Sequence, residues 1–366
     1  MKKLLFVILT LFTTISSIAQ VNVSKITVKE AIQQAKQEDK LVMVMVSTTW
    51  CGPCKHVINK FFPIEEVGDY FNSNFISLKI MADVSDPEKF ADNFNIKAYP
   101  TFVLINGDGK ELSRVVGSAS EPKEFIDKFR KALDPENTWE THEKKLKEDP
   151  SYIYTYIEIL DKAYRKDEAI KLMQSVFAKQ NVEQNFTAKN MEFYKNNIND
   201  FKNPIIVFML ENVDAVDKVI GQGETVKFVR GISNIIYLKL GFQMEAINVE
   251  AVDSALKEIP ADKYEFLNTP TYNFLKNNRD NIAKKNYDSI LNSATEAIKN
   301  INSTELDNIY IITFGVLKAD AHKNMKTLIV EGYQEKFSDF LKACAENTEN
   351  EKNAERYKNI IKYISK

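Results

Sequence analysis

Trp50-Cys51-Gly52-Pro53-Cys54-Lys55 is the stretch on which the reading of this chain turns. It holds two of the three cysteines in 366 residues; the third, Cys344, lies far along the chain. Cysteines this close in sequence close too small a loop to brace a fold, because stabilisation by a cross-link grows with loop length. The pair is read as one placed to react. Two other uses of a CxxC are tested by its neighbours. Covalent haem attachment needs histidine directly after the second cysteine, where Lys55 stands and His56 comes one place later. Structural zinc needs four ligands, commonly with a second close pair, whereas Cys344, His56, His142 and His322 are scattered. Neither a metal nor a cofactor is expected, and His56 reads as a solvated helix residue.

Outward from the motif, residues 41–46 form an unbroken, valine-rich apolar run, the pattern of a strand buried on both faces. Ser47-Thr48-Thr49 leaves that strand, and Cys51 opens a helix. Upstream, Thr27-Val28-Lys29-Glu30 has capping-box spacing and starts a helix through Ala31, Ile32 and Ala35 to about Asp39. Downstream, residues 75–81 read as a second buried strand and 87–94 as a short helix. Tyr99-Pro100-Thr101 turns the chain into a strand at 102–105. Asn106-Gly107-Asp108-Gly109 predicts a hairpin in which both glycines take positive φ. A returning strand at 112–116 and an amphipathic helix at 121–133 complete the series. This order describes an α/β fold, a mixed sheet with helices on both faces.

With these elements in place, residues 21–134 resemble the thioredoxin family. The resemblance rests on Trp50-Cys51-Gly52-Pro53-Cys54-Lys55 after a buried strand, Tyr99-Pro100-Thr101 before the hairpin, and Val116-Gly117 before the last helix. It implies a thioredoxin fold, a redox-active Cys51–Cys54 pair acting on protein or peptide disulfides, and Pro100 as a cis proline facing the cysteines. The residues suit that chemistry. Exchange needs one stabilised thiolate and a second thiol near enough to resolve the mixed disulfide. A helix start offers Cys51 free N–H groups and the positive end of the dipole. Cys51 is therefore expected to attack, and the more shielded Cys54 to resolve. Pro53 fits a first helical turn, Gly52 leaves room for a substrate chain, and Trp50 is expected to form an apolar shelf beside the site. Lys55 and Tyr99 complete the supporting set.

One position departs from the family. Thioredoxins usually carry a buried acid on the central strand, six residues before the first cysteine, where this chain has Met45. Lys79 stands where a lysine normally accompanies that acid. Without the acid, Lys79 has three expected roles left open: reaching solvent, pairing with Glu65 or Glu66, or helping to lower a thiol pKa. Gly52-Pro53 resembles the reducing members of the family, so a reductase or isomerase is expected. A disulfide-forming oxidase is the enzymatic alternative. A helical binding platform with a regulatory CxxC is the non-enzymatic one.

The ends and the second half set the context. Lys2-Lys3, an apolar run at residues 4–12 and Ser17-Ile18-Ala19 follow the three-part pattern of a secretory signal, with cleavage expected after Ala19. The run is shorter than the ~20 residues a spanning helix needs. A soluble, exported, periplasmic protein without stable membrane insertion is expected, and a reductase there implies a membrane thiol-relay as electron donor. The net charge of −2, with 27% charged residues, gives no reason to expect nucleic acid as a partner. After Asp134-Pro135-Glu136 the pattern becomes helical, with only six glycines and five prolines from Pro135 onward. Apolar-periodic blocks fall at 152–164, 167–177, 225–240, 281–298 and 306–318. The expected organisation is thus a signal at 1–19, a thioredoxin-like domain at 20–134 and an all-α domain of antiparallel helix pairs at 135–366. Residues 149–180 look faintly like a tetratricopeptide unit, leaving a repeat array and an irregular bundle both open. The aromatic residues Tyr152, Tyr154, Tyr156, Phe193, Tyr194, Tyr237 and Phe266 are expected in the core, as is Cys344 as a small hydrophobe.

Overall fold

The computed structural model describes residues 20–318 and 329–364. The expected signal segment and His322 lie outside the described residues. The chain divides into two compact units, the first ending at Ser175 and the second starting at Val176.

In the first unit, the elements run β1 (Val23–Ser24), α1 (Val28–Glu38), β2 (Leu41–Ser47), α2 (Gly52–His56), α3 (Glu65–Asn74), β3 (Phe75–Met81), α4 (Phe90–Asn93), β4 (Thr101–Ile105), β5 (Glu111–Val116) and α5 (Pro122–Leu133). They build a five-stranded sheet of order β1-β3-β2-β4-β5. β2 at its centre pairs parallel with β3 and antiparallel with β4. Its alternating side chains feed two cores, which is why the run reads as continuously apolar. Met43 and Met45 join Phe71, Phe102, Phe125, Phe129 and both cysteines on one face. Val42, Val44 and Val46 join Ala31 and Ala35 of α1 on the other. The α/β class, with helices on both faces of a mixed sheet, is as expected.

Local chemistry explains the boundaries. Thr27 Oγ1 accepts from the Glu30 N–H at 3.2 Å, and Glu30 accepts from the Thr27 N–H at 2.8 Å, so the capping box forms. Asp39, in the left-handed region at φ 52°, ends α1. The helix opened at Cys51 runs on beyond α2 as a π turn over Val57–Phe61, where the Phe62 N–H reaches the Val57 carbonyl. Pro63 then separates it from α3. The hairpin glycines divide their tasks differently from expectation. Gly109 takes φ +81°, but Gly107 does not adopt positive φ. Gly107 is needed for close approach, because a methyl there would stand 3.2 Å from Lys36 Cβ.

Three more helices belong to this unit, α6 (Trp139–Glu148), α7 (Ile153–Lys162) and all but the end of α8 (Lys166–Phe177). Strand content ends at Val116, yet compactness carries on to Ser175. The tie is specific: Trp139 Nε1 donates to Glu111 Oε1 at 3.0 Å, and Arg165 lies over the Trp139 ring at 4.4 Å. Glu111 itself is held by Arg114.

The second unit is helical: α9 (Val182–Asn185), α10 (Ala188–Asn197), α11 (Pro204–Glu211), α12 (Val213–Ile220), α13 (Glu224–Gly241), α14 (Val249–Glu258), α15 (Pro270–Ala283), α16 (Tyr287–Ala297), α17 (Ser303–Leu317), α18 (Gln334–Asn347) and α19 (Glu351–Ile364). The expected block at 281–298 is corrected to the end of α15 and all of α16. Lys285 turns left-handed at φ 53°, and Asn286 caps the new helix by accepting from Ser289 N–H. Tyr194 and Tyr237 are fully buried, and Tyr156 of the first unit nearly so. Tyr152, Tyr154, Phe193 and Phe266 are only partly covered. Cys344 on α18 is fully buried, and burial pushes its thiol well above the usual range. Among the described residues no helix is long and apolar enough to cross a membrane.

Candidate active site

The site is built where β2 hands over to α2. Cys51 is the N-cap residue, with extended φ and ψ, and Pro53 sits in the first turn, where its missing N–H leaves no hydrogen bond unmade. The Cys54 N–H donates to Cys51 Sγ at 3.1 Å, and the two sulfurs are joined as a disulfide across a Cα–Cα separation of 5.3 Å. On reduction the same free N–H groups and helix dipole favour negative charge on Cys51. Cys54 is 0% exposed and Cys51 3%, so what little of the pair meets solvent is Cys51.

The surroundings divide into a surface and a floor. Trp50 is 70% exposed and stands edge-on to Tyr99, ring centres 5.8 Å apart. The Tyr99–Pro100 bond is cis, as the resemblance implied, and the Pro100 carbonyl accepts from the Gly117 N–H at 2.8 Å. Gly117 holds φ +80°, which explains a glycine there. A methyl group on Gly52 would meet nothing within 4 Å, leaving open approach. Pro53, Lys55 and His56 are exposed, and His56 rests edge-on against Phe61 at 4.8 Å. Beneath them, Met45 is fully buried in the same apolar cluster as both cysteines, and no Asp or Glu is fully buried among the described residues of the first unit. Lys79 is in register with Met45 on β3 but is exposed, and it makes no ion pair with Glu65 or Glu66. The structure thus brings together Trp50, Cys51, Cys54 and Tyr99, and leaves Lys79 facing solvent.

Asp83 is a site residue that the sequence did not announce. Its carboxylate accepts from the Thr49 N–H at 2.8 and 3.1 Å, and from the Thr49 hydroxyl. The hydroxyl bond first, then the backbone one, hold this carboxyl below its usual range. The signal lay in the register. β2 and β3 are parallel and end together at Ser47 and Met81, with Ala82 N–H on the Ser47 carbonyl at 2.8 Å, so the residues just beyond each strand must meet. Asp83 thereby fixes the residue before Trp50. It also adds, with Asp86 and Asp92, to the effect of burial in pushing the Tyr99 phenol up. The structure thus places a Cys51–Cys54 disulfide at a helix start, with Cys51 the less covered of two buried sulfurs.

A family model described as a thioredoxin-like domain matches residues 28–133. Thioredoxin H2 of Arabidopsis thaliana is 36% identical over 92 residues, covering 25% of this chain and 63% of its own, so less than two thirds of that relative is spanned. Thioredoxin Asp f 29 of Aspergillus fumigatus is 33% identical over 98 residues, 26% of this chain and 84% of its own. The crystal structure of thioredoxin NaTrxh from Nicotiana alata, 33% identical, covers 27% of this chain and 79% of its own with a TM-score of 0.22. Since one identity of 33% extends over most of a thioredoxin's length, the chain belongs to the thioredoxin family.

Proposed function

We propose that this chain is an exported thiol–disulfide oxidoreductase that reduces or isomerises disulfides in proteins or peptides. The observation that carries the reading is the placement of Cys51 Sγ at the helix start, in a pair of which Cys51, at 3% exposure, is the less covered. In the reduced protein the Cys51 thiolate attacks a client disulfide, breaking the S–S bond, forming a Cys51–client mixed disulfide and releasing one client thiolate. Cys54, once deprotonated, attacks Cys51 Sγ. The Cys51–Cys54 bond forms and the second client sulfur leaves as a thiolate that takes up a proton. Two electrons pass from the dithiol to the client, and an external dithiol must return them. Export, supported by the pattern of residues 2–19, makes a membrane thiol-relay the donor. The helical region would select or hold the client.

Met45 shapes the second step. With Met45 at that position and no Asp or Glu fully buried among the described residues of the first unit, the Cys54 proton leaves to water, which slows resolution near neutral pH. Trp50 and Tyr99, ring edge to ring face, give an extended client segment an apolar surface at the site, and the open space at Gly52 lets it approach. The test is catalysed reduction of insulin by dithiothreitol. The full chain is expected to accelerate it, and Cys51→Ser to remove the acceleration while retaining the fold by circular dichroism. Insulin reduction no faster with the wild-type chain than with dithiothreitol alone would overturn the proposal.

A further inference from the structure

Helix α5 carries two opposite charges that do not pair with each other. Glu124 and Lys128 stand four residues apart, in the order that favours an ion pair on a helix surface. Each reaches instead for the backbone of residues 117–121, which joins β5 to α5. The Glu124 carboxylate accepts from the Ser120 N–H at 3.0 Å, and the Lys128 ammonium donates to the Ser118 carbonyl at 2.5 Å. Glu124 lies in the first turn of α5 and reaches back over the helix start much as a capping-box glutamate does. Capping does not account for Lys128. It lies beyond that turn and gives up the freedom of a long side chain to hold a carbonyl ten residues upstream.

That carbonyl has no alternative donor. Pro122, four residues on, lacks an N–H, and among the described residues no other group donates to Ser118 O. The segment so held leads to the site. Gly117, at φ +80°, donates its N–H to the Pro100 carbonyl at 2.8 Å. Pro100 follows Tyr99 through the cis bond, and Tyr99 stands edge-on to Trp50. Tyr99 and Ala119 both pack against the apolar cluster that contains Cys51 and Cys54. A continuous line of bonds therefore runs from the Lys128 ammonium through Ser118 and Gly117 to Pro100 and the Tyr99 ring.

We propose that Lys128 is a positioning residue for polypeptide clients, its ammonium holding the Tyr99–Pro100 turn in place through Ser118 and Gly117. The proposal rests on the exchange reaction described above and adds to it a residue outside the cysteine motif. Lys128 touches neither sulfur in the structure, so it acts on where a client lies and not on the exchange itself. A polypeptide that lies across Trp50 and Tyr99 while its disulfide meets Cys51 depends on that placement. A small disulfide that meets Cys51 alone does not.

The test compares two substrates of the full chain, fluorescein-labelled insulin and hydroxyethyl disulfide, each reduced with dithiothreitol as electron donor. Lys128→Met keeps the aliphatic stem and removes the charge. Its KM for insulin is expected to rise about fivefold, the scale of one lost hydrogen bond, with kcat changed less than about twofold. Its rate on hydroxyethyl disulfide should change less than about twofold as well. Lys128→Arg restores a charged donor and should bring the insulin KM back to within about twofold of the wild type. An unchanged insulin KM in Lys128→Met, beside an active wild type, would overturn this proposal and leave the exchange reaction standing. Equal losses on both substrates, or a raised KM that Lys128→Arg shares, would overturn it too, since each would mark a packing defect. A wild-type chain inactive on insulin would overturn the exchange reaction, and the role of Lys128 with it.

Discussion

Met45→Asp is expected to turn over faster than the wild type from about pH 6 to about pH 8, and to unfold more easily over the same range. Position 45 is fully buried in the apolar cluster that contains both cysteines. A carboxyl placed there is desolvated, so its folded-state pKa lies above the ~3.9 of an unfolded aspartate. Below that unfolded value the carboxyl is neutral in both states and the penalty is small. As the pH rises through the raised folded value, the unfolded chain ionises more readily and stability falls. The loss at pH 8 should be on the order of 3 kcal/mol, the scale of a poorly compensated buried charge. Urea midpoints of the oxidised variant and the oxidised wild type, compared at about pH 4 and about pH 8, measure it. In exchange, the new carboxylate can take the proton of Cys54 directly. General-base assistance is often 10²-fold or more, and roughly tenfold is expected here because water already serves. No gain in the rate of disulfide reduction would contradict the role assigned to Met45.

Glu111→Ala should cost the first unit about 3–5 kcal/mol, the range for breaking a buried ion pair from one side. Arg114 and Glu111 have side chains only 3% and 13% exposed. Glu111 accepts from Arg114 Nε at 2.7 Å and Nη2 at 2.8 Å, and from Trp139 Nε1 at 3.0 Å. Without it, the buried guanidinium keeps only the Phe94 carbonyl at 3.0 Å. The control is Asp108→Ala, which removes the Lys36–Asp108 pair at 68% and 76% exposure; such surface pairs contribute about 0–1 kcal/mol. Chemical unfolding of the two variants should separate them clearly. Similar small losses in both would mean that the Glu111–Arg114–Trp139 cluster does not hold α6 against β5.

These two residues also mark what the sequence could and could not say. Val42, Met43, Val44, Met45 and Val46 stood out because a central strand buries both its faces, and that alone placed Cys51 at a strand-to-helix turn. Thr27 and Glu30 announced α1 through a bond pattern only three residues long. Asp83 was hidden because its partner, Thr49, is 34 positions away and only the parallel register of β2 and β3 brings them together. Glu111 and Trp139 were hidden for the same reason, since nothing local distinguishes a buried Glu from a solvated one. The helix break at Lys285 was missed because a left-handed lysine leaves no mark on hydrophobic periodicity.

The central claim is that Cys51 attacks and Cys54 resolves. Cys54→Ser exposed to a peptide disulfide should accumulate a stable mixed disulfide, and peptide mapping by mass spectrometry should place the peptide on Cys51. Cys51→Ser under the same conditions should remain unmodified, because Cys54 is fully buried. Attachment of the peptide to Cys54 in Cys51→Ser at a comparable rate, or no adduct in Cys54→Ser, would contradict the account.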